Sequence, residues 1–116
     1  MQTLILLFHP DLSRSRANAA LAAAAAAEAG VEVVDMQALY PQARLDGDVE
    51  VARLLAADRI VLQFPVQWYA TPALLKSWQD SVLTRMYYLR YEAEGQHLEG
   101  TPLMVAATAG NEPAAY

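Results

Sequence analysis

The segment 63-QFPVQWYATPALLKSW-78 gathers the residues of this chain best suited to holding a ligand. Trp68 and Tyr69 are adjacent and follow the amide of Gln67. They lie between an apolar run that reads as a buried strand and a Thr71-Pro72 pair that reads as a helix start. Short polar residues would serve for such a turn. Two aromatics there offer flat apolar walls instead, and the backbone of residues 66–69 can present N–H groups to the edge of a planar ligand. In 9-HPDLSRSRAN-18, Ser13, Ser15, Arg16 and Asn18 lead into a helix whose first N–H groups and dipole attract an anion. In 108-TAGNEP-113, small residues let backbone lie close beneath a ring. Each segment also has a plainer reading. Ser13 or Ser15 can simply cap the helix, His9 can be a satisfied histidine at a strand end, the two rings can fold back on the core, and TAGN can be an ordinary turn.

The elements that would position these segments alternate along the chain. Thr3–Phe8, Val31–Met36, Arg59–Phe64 and Thr101–Ala107 are short apolar runs of the kind found in strands buried on both faces. Arg16 to Ala29 is alanine-rich and predicts a helix closed by Gly30. Asp48 is the expected cap of a helix over Val49–Ala57, with Val51, Leu54 and Leu55 on its inner face. Pro72–Leu83 predicts a third helix with Leu74, Leu75, Trp78 and Leu83 inward. Residues 37–48 and 84–100 read as loops, the second long, polar and aromatic. The order β-α-β-α-β-α-β implies an α/β fold, a doubly wound parallel sheet with helices on both faces. In such a sheet ligands bind beyond the carboxyl ends of the strands, where all three segments fall. The chain reads as one domain over residues 1–116, cut short because no helix follows the fourth strand.

Composition narrows the chemistry. A net charge of −5 argues against nucleic-acid binding by phosphate neutralisation. Cysteine is absent and the only histidines, His9 and His97, are far apart, so no metal site is expected. There is no secretory signal layout and no apolar run near the ~18 residues of a membrane span, so a cytoplasmic protein is expected. Neither G-x-x-x-x-G-K-[ST] nor G-x-G-x-x-G occurs. A phosphate cradle, an aromatic and amide wall and a small-residue floor together suit flavin mononucleotide. A tightly held nicotinamide dinucleotide suits them less.

His9-Pro10 with Ser15 and Asn18, followed by FPVQWYATPALLKSWQDSVL, resembles the NAD(P)H:quinone oxidoreductases of flavodoxin-like fold. The branch most similar contains the ancillary subunits of glutathione-gated potassium efflux systems, and the resemblance runs the length of the chain. It implies sheet order 2-1-3-4-5, of which the fifth strand is missing here, a bound FMN or FAD, a homodimer, and two-electron reduction of quinones by NAD(P)H. Carried over, His9, Ser15, Arg16 and Asn18 hold the flavin phosphate end. Pro65, Val66, Gln67, Trp68 and Tyr69 line the ring, and Thr108, Ala109 and Gly110 meet its other edge. Tyr116 matches a tyrosine near the ring, placed to stabilise charge on the reduced flavin.

The resemblance further implies ping-pong hydride transfer, with nicotinamide and quinone using one site in turn. Regulation of a membrane potassium-efflux protein and plain electron carriage are the alternatives. The chain departs from the family where T-T-G-G is replaced by Ala107-Thr108-Ala109-Gly110-Asn111, and its 84–100 segment is richer in tyrosine and arginine.

Overall fold

The computed structural model describes residues 1–110. Four strands, β1 (Thr3–Leu7), β2 (Val31–Asp35), β3 (Arg59–Pro65) and β4 (Leu103–Thr108), form one sheet in the order β2-β1-β3-β4. Every pairing is parallel, with Leu6 beside Val34 and Leu62, and Leu62 beside Val105. Because side chains alternate along a strand, this register gives the sheet two distinct faces. Leu4, Leu6, Phe8, Ile60, Leu62 and Phe64 share one face and are buried.

That face packs under α2 (Met36–Leu39), α3 (Gly47–Ala56) and α4 (Ala73–Trp78), whose Met36, Val51, Leu54, Leu74, Leu75 and Trp78 complete the core. The opposite face, where Ile5, Leu7 and Val61 are buried, is covered by α1 (Ala17–Ala26), a helix of short alanine side chains packed against β2 and β3. β4 is the outer strand, and its Leu103, Met104 and Val105 are more than half exposed.

The strands and their order match the sequence reading, while several element boundaries differ. α1 stops at Ala26, and Gly30, at φ 74°, makes the bend into β2 rather than capping the helix. Met36 leaves the second strand and starts α2, whose first turn Asp35 caps by accepting from Ala38 N at 3.1 Å. Asp46, not Asp48, caps α3: its carboxylate accepts from Val49 N at 3.2 Å. Asp48 sits in the first turn of α3 and pairs with Arg85 at 2.8 Å. Leu55 points outward, and Glu50 takes its place among the buried residues of α3. Pro72 is the cap position of α4, one residue before the helix proper, and no side chain caps that end.

The largest departure follows α4. The end of the expected third helix, Gln79–Leu83, has a wider turn, and residues expected to form a long loop continue it through Arg85–Leu89, then Tyr91–Gly95 and the short α5 (Gln96–Leu98). Trp78, Val82 and Met86 are all buried. Residues four apart drift about 40° per step around an α-helix, so a wider turn keeps these three in line over the sheet. Arg85 closes the segment on itself, with Nε and Nη2 donating to the two Glu94 carboxylate oxygens at 3.1 and 2.8 Å.

Candidate functional site

The carboxyl ends of β1, β3 and β4 bring together the three segments singled out in the sequence. The first runs from His9 through a 3-10 turn, Leu12–Arg14, to α1. Asp11 organises it by accepting from Ser13 N at 3.1 Å and from the Ser13 hydroxyl. Ser13 thus stabilises the turn. Ser15 caps α1, as its Oγ accepts from Asn18 N at 3.0 Å and Ala19 N at 3.3 Å.

These bonds determine what the loop offers a ligand. A hydroxyl oxygen has two lone pairs and one hydrogen, so Ser15, accepting twice, can only donate in a further direction. His9 Nδ1 accepts from Asp11 N at 2.9 Å, which places the proton of the neutral ring on Nε2 and makes that nitrogen a donor. The exposed guanidinium of Arg16 donates by nature. Three side chains of one loop are therefore donors at the start of a ten-residue helix. Arg14 and Arg16 also outnumber the single carboxylate of Asp11. This donor set suits an anionic, oxygen-rich group such as a phosphate.

The second segment is a two-residue turn. Gln67 N donates to Ala70 O at 2.9 Å and Ala70 N donates back to Gln67 O at 3.0 Å. Trp68 and Tyr69 between them adopt φ of 49° and 63°. Positive φ at both centre residues is the hairpin turn that asparagine and glycine normally fill. For a bulky side chain it is a strained conformation, of the kind that accumulates at ligand sites. The turn holds the rings away from the core: Trp68 is 93% and Tyr69 73% exposed. The expectation that the rings project from the strand end agrees with this, and folding back on the core does not.

The third segment continues from β4. Thr108 is half-buried, its carbonyl accepting from Val66 N at 2.7 Å, and Ala109 and Gly110 are exposed. Between the second and third segments lies a cleft of about 300 Å³ lined by Phe64, Val66, Tyr69, Ala70, Thr71 and Ala107. That is the lower end of the size range for small-molecule pockets. Pro65 and Val66 are half-buried at its rim, and Gln67 is exposed. Tyr116 and Asn111 lie outside the described residues. A larger concavity of about 480 Å³ lies at the opposite end of the sheet, but its cation, Arg53, is paired with Glu32 and Glu50 at 3.4 Å each.

Two buried polar residues carry no signal of function in the sequence reading. Gln63 is only 3% exposed and donates from Nε2 to Asn18 O and Asn18 Oδ1, both at 3.2 Å. A lone amide within the apolar run RIVLQF was the available clue. Glu50 is fully buried and accepts from the Tyr40 hydroxyl at 2.7 Å and from Trp78 Nε1 at 3.1 Å. Burial first, and then this bond to a carboxylate, push the Tyr40 hydroxyl up to about 12. Trp78 in turn meets Phe8 edge-on at 6.0 Å, so Glu50 fixes the underside of the strand end that leads to His9.

Fold and edge geometry together describe a flavodoxin-like α/β domain. A family model of flavodoxin-like fold matches residues 1–116, and the chain belongs to that family. It is similar to the glutathione-regulated potassium-efflux system ancillary protein KefF of Klebsiella pneumoniae, with 40% identity over 107 residues, 92% of this chain and 59% of that protein. The general stress protein 14 of Treponema denticola, solved in complex with FMN, superposes with a TM-score of 0.89 at 33% identity, over 100% of this chain and 66% of that one. An NADPH-quinone reductase from P. pentosaceus superposes at 0.80 and 34% identity, covering 100% and 64%. The chain spans 58–66% of the length of the curated relatives it matches.

Proposed function

We propose that this chain binds FMN at the carboxyl edge of its sheet and serves the reduction of quinones by NAD(P)H. The observation that carries this reading is the donor state of His9 Nε2, the Ser15 hydroxyl and Arg16, on the same sheet edge as the exposed Trp68 and Tyr69. The first group suits a phosphate and the second a planar ring, and FMN has both. The FMN complex of the similar Treponema denticola protein supports the same reading, and the reductase from P. pentosaceus supports the substrate pair.

FMN, when bound, supplies two-electron hydride chemistry between a nicotinamide and a quinone. The chain's own residues bind and orient it. His9, Ser15 and Arg16 hold the phosphate by charge-assisted bonds. Pro65 to Tyr69 form the wall beside the ring. Thr108, Ala109 and Gly110 form the floor, and their small side chains leave room for a second planar molecule. Tyr116 is assigned a donor role toward the ring by family resemblance.

The purified protein should be yellow, bleach on addition of NADH or NADPH without air, and recolour on addition of a quinone. A protein that stays colourless after incubation with FMN and with FAD would sink the reading. A second reading, an ancillary subunit of a potassium-efflux system, is favoured by the similarity to KefF. It predicts that the protein co-purifies with a potassium antiporter, and vigorous quinone turnover without that partner would count against it.

A further inference from the structure

We propose that Gln63, Asn18 and Thr108 form a buried positioning unit that sets the spacing between the phosphate end and the ring end of the candidate site. This rests on the flavin reading above. The three residues come from β3, α1 and β4, the elements that carry the three segments. Gln63 Nε2 donates to both oxygens of Asn18, and Asn18 Nδ2 donates to Thr108 Oγ1 at 2.8 Å. Each amide is thereby held in one orientation, because Asn18 Oδ1 must face Gln63 and its NH₂ must face Thr108.

Each member also anchors one loop through its backbone. Gln63 O accepts from Phe8 N at 2.8 Å, one residue before His9. Asn18 N donates to Ser15 Oγ, the hydroxyl that caps α1. Thr108 O accepts from Val66 N at 2.7 Å, two residues before Trp68. A shift in any one of these bonds moves a donor of the phosphate loop relative to the aromatic turn. Asn18 and Gln63 are 2% and 3% exposed, so their side chains cannot themselves reach a ligand in the cleft. They act through the loops. Satisfied polar networks in a low-dielectric interior are rigid, because breaking one bond strands a desolvated group. An apolar trio would fill the same space without that rigidity.

The consequence is specific. FMN exceeds riboflavin in affinity only if phosphate and ring meet their loops at once, so the preference for FMN over riboflavin measures the spacing. Gln63→Met keeps the side-chain length and removes the amide. In the full chain, its dissociation constants for FMN and riboflavin are read by flavin fluorescence, and the melting temperature is taken without ligand. The expected result is a preference for FMN reduced at least tenfold, with riboflavin affinity little changed. Equal weakening of both ligands, or an unchanged preference, would overturn the proposal and leave Gln63 a core residue. If Gln63→Met does not fold, Gln63→Leu, which also removes the amide from this buried strand position, makes the same test with the same two outcomes. Wild-type protein that binds neither FMN nor riboflavin overturns the flavin reading and this proposal with it. Wild-type preference that survives both substitutions overturns only this one.

Discussion

Trp68 and Tyr69 follow one another in the left-handed backbone region, closed on both sides by the paired hydrogen bonds of Gln67 and Ala70. Left-handed backbone costs an ordinary residue roughly 1–2 kcal/mol. Burial of the Trp68 ring does not offset that cost, since it is 93% exposed, so the strain there is removable. Trp68→Asn with Tyr69→Gly installs the residues this turn favours, and should raise stability by about 1 kcal/mol or more. The same variant should lose flavin. Chemical denaturation without ligand and an FMN titration check the two halves, and a double variant no more stable than wild type would show that the turn is not strained.

Trp68→Ala separates the ring from the backbone, since alanine keeps the strain and loses the indole. A residue 93% exposed contributes little to folding, so stability should stay within about 0.5 kcal/mol of wild type. Aromatic contacts are worth about 0.5–1.5 kcal/mol beyond area, so FMN affinity should fall up to roughly tenfold. A variant that unfolds while its folded fraction still holds flavin would make Trp68 a core residue.

The four strands were legible because buried parallel strands are continuous apolar runs with few other readings, and their order followed from the family resemblance. The helix over 84–98 was not. Its buried Met86 stands between Arg85 and Tyr87, and its closure depends on the Arg85–Glu94 pair, which no local pattern announces. The Trp68–Tyr69 turn was legible as an anomaly but not as a turn type, because it lacks the glycine or asparagine that marks one. Asn18 was legible as polar at a helix start, whereas its burial against Gln63 and Thr108 depends on residues 45 and 90 positions away.

Ser15→Ala tests the cap and the donor together. Loss of the Oγ bonds to Asn18 N and Ala19 N should cost about 1 kcal/mol of stability with no ligand present. Loss of the outward O–H should weaken FMN beyond riboflavin. Ser15→Thr restores a hydroxyl and should recover most of both. An alanine variant as stable as wild type would mean that the cap bonds contribute nothing.

Glu94 predicts behaviour in acid. Its hydrogen bonds from Arg85 hold the carboxyl below its ordinary range. A carboxylate lowered in the folded state binds its proton more weakly there than in the unfolded chain. Its stabilisation is thus complete above the unfolded value and is lost as pH falls through the folded one. Glu94→Gln should flatten the fall in melting temperature toward acid pH and lower the neutral value. An unchanged acid slope would assign that slope to other carboxylates.

At the alkaline end the relevant group is Tyr40, whose hydroxyl is pushed up to about 12 from an ordinary 10. The folded chain holds this proton more tightly than the unfolded chain, so the sign is opposite to that of Glu94. The contribution is complete below pH 10 and disappears as pH rises toward 12, amounting to roughly 2–3 kcal/mol. Tyr40→Phe removes the titration, and unfolding free energies measured between pH 9 and 12 should fall less steeply than in wild type. The substitution also deprives the fully buried Glu50 of one donor, leaving Trp78 Nε1 and the more distant Arg53 Nε. A loss of about 1–3 kcal/mol at neutral pH follows from that deficit. Should Tyr40→Phe leave the alkaline slope intact, the titration must belong to a more exposed tyrosine and the Tyr40–Glu50 bond would not be the source of the shift.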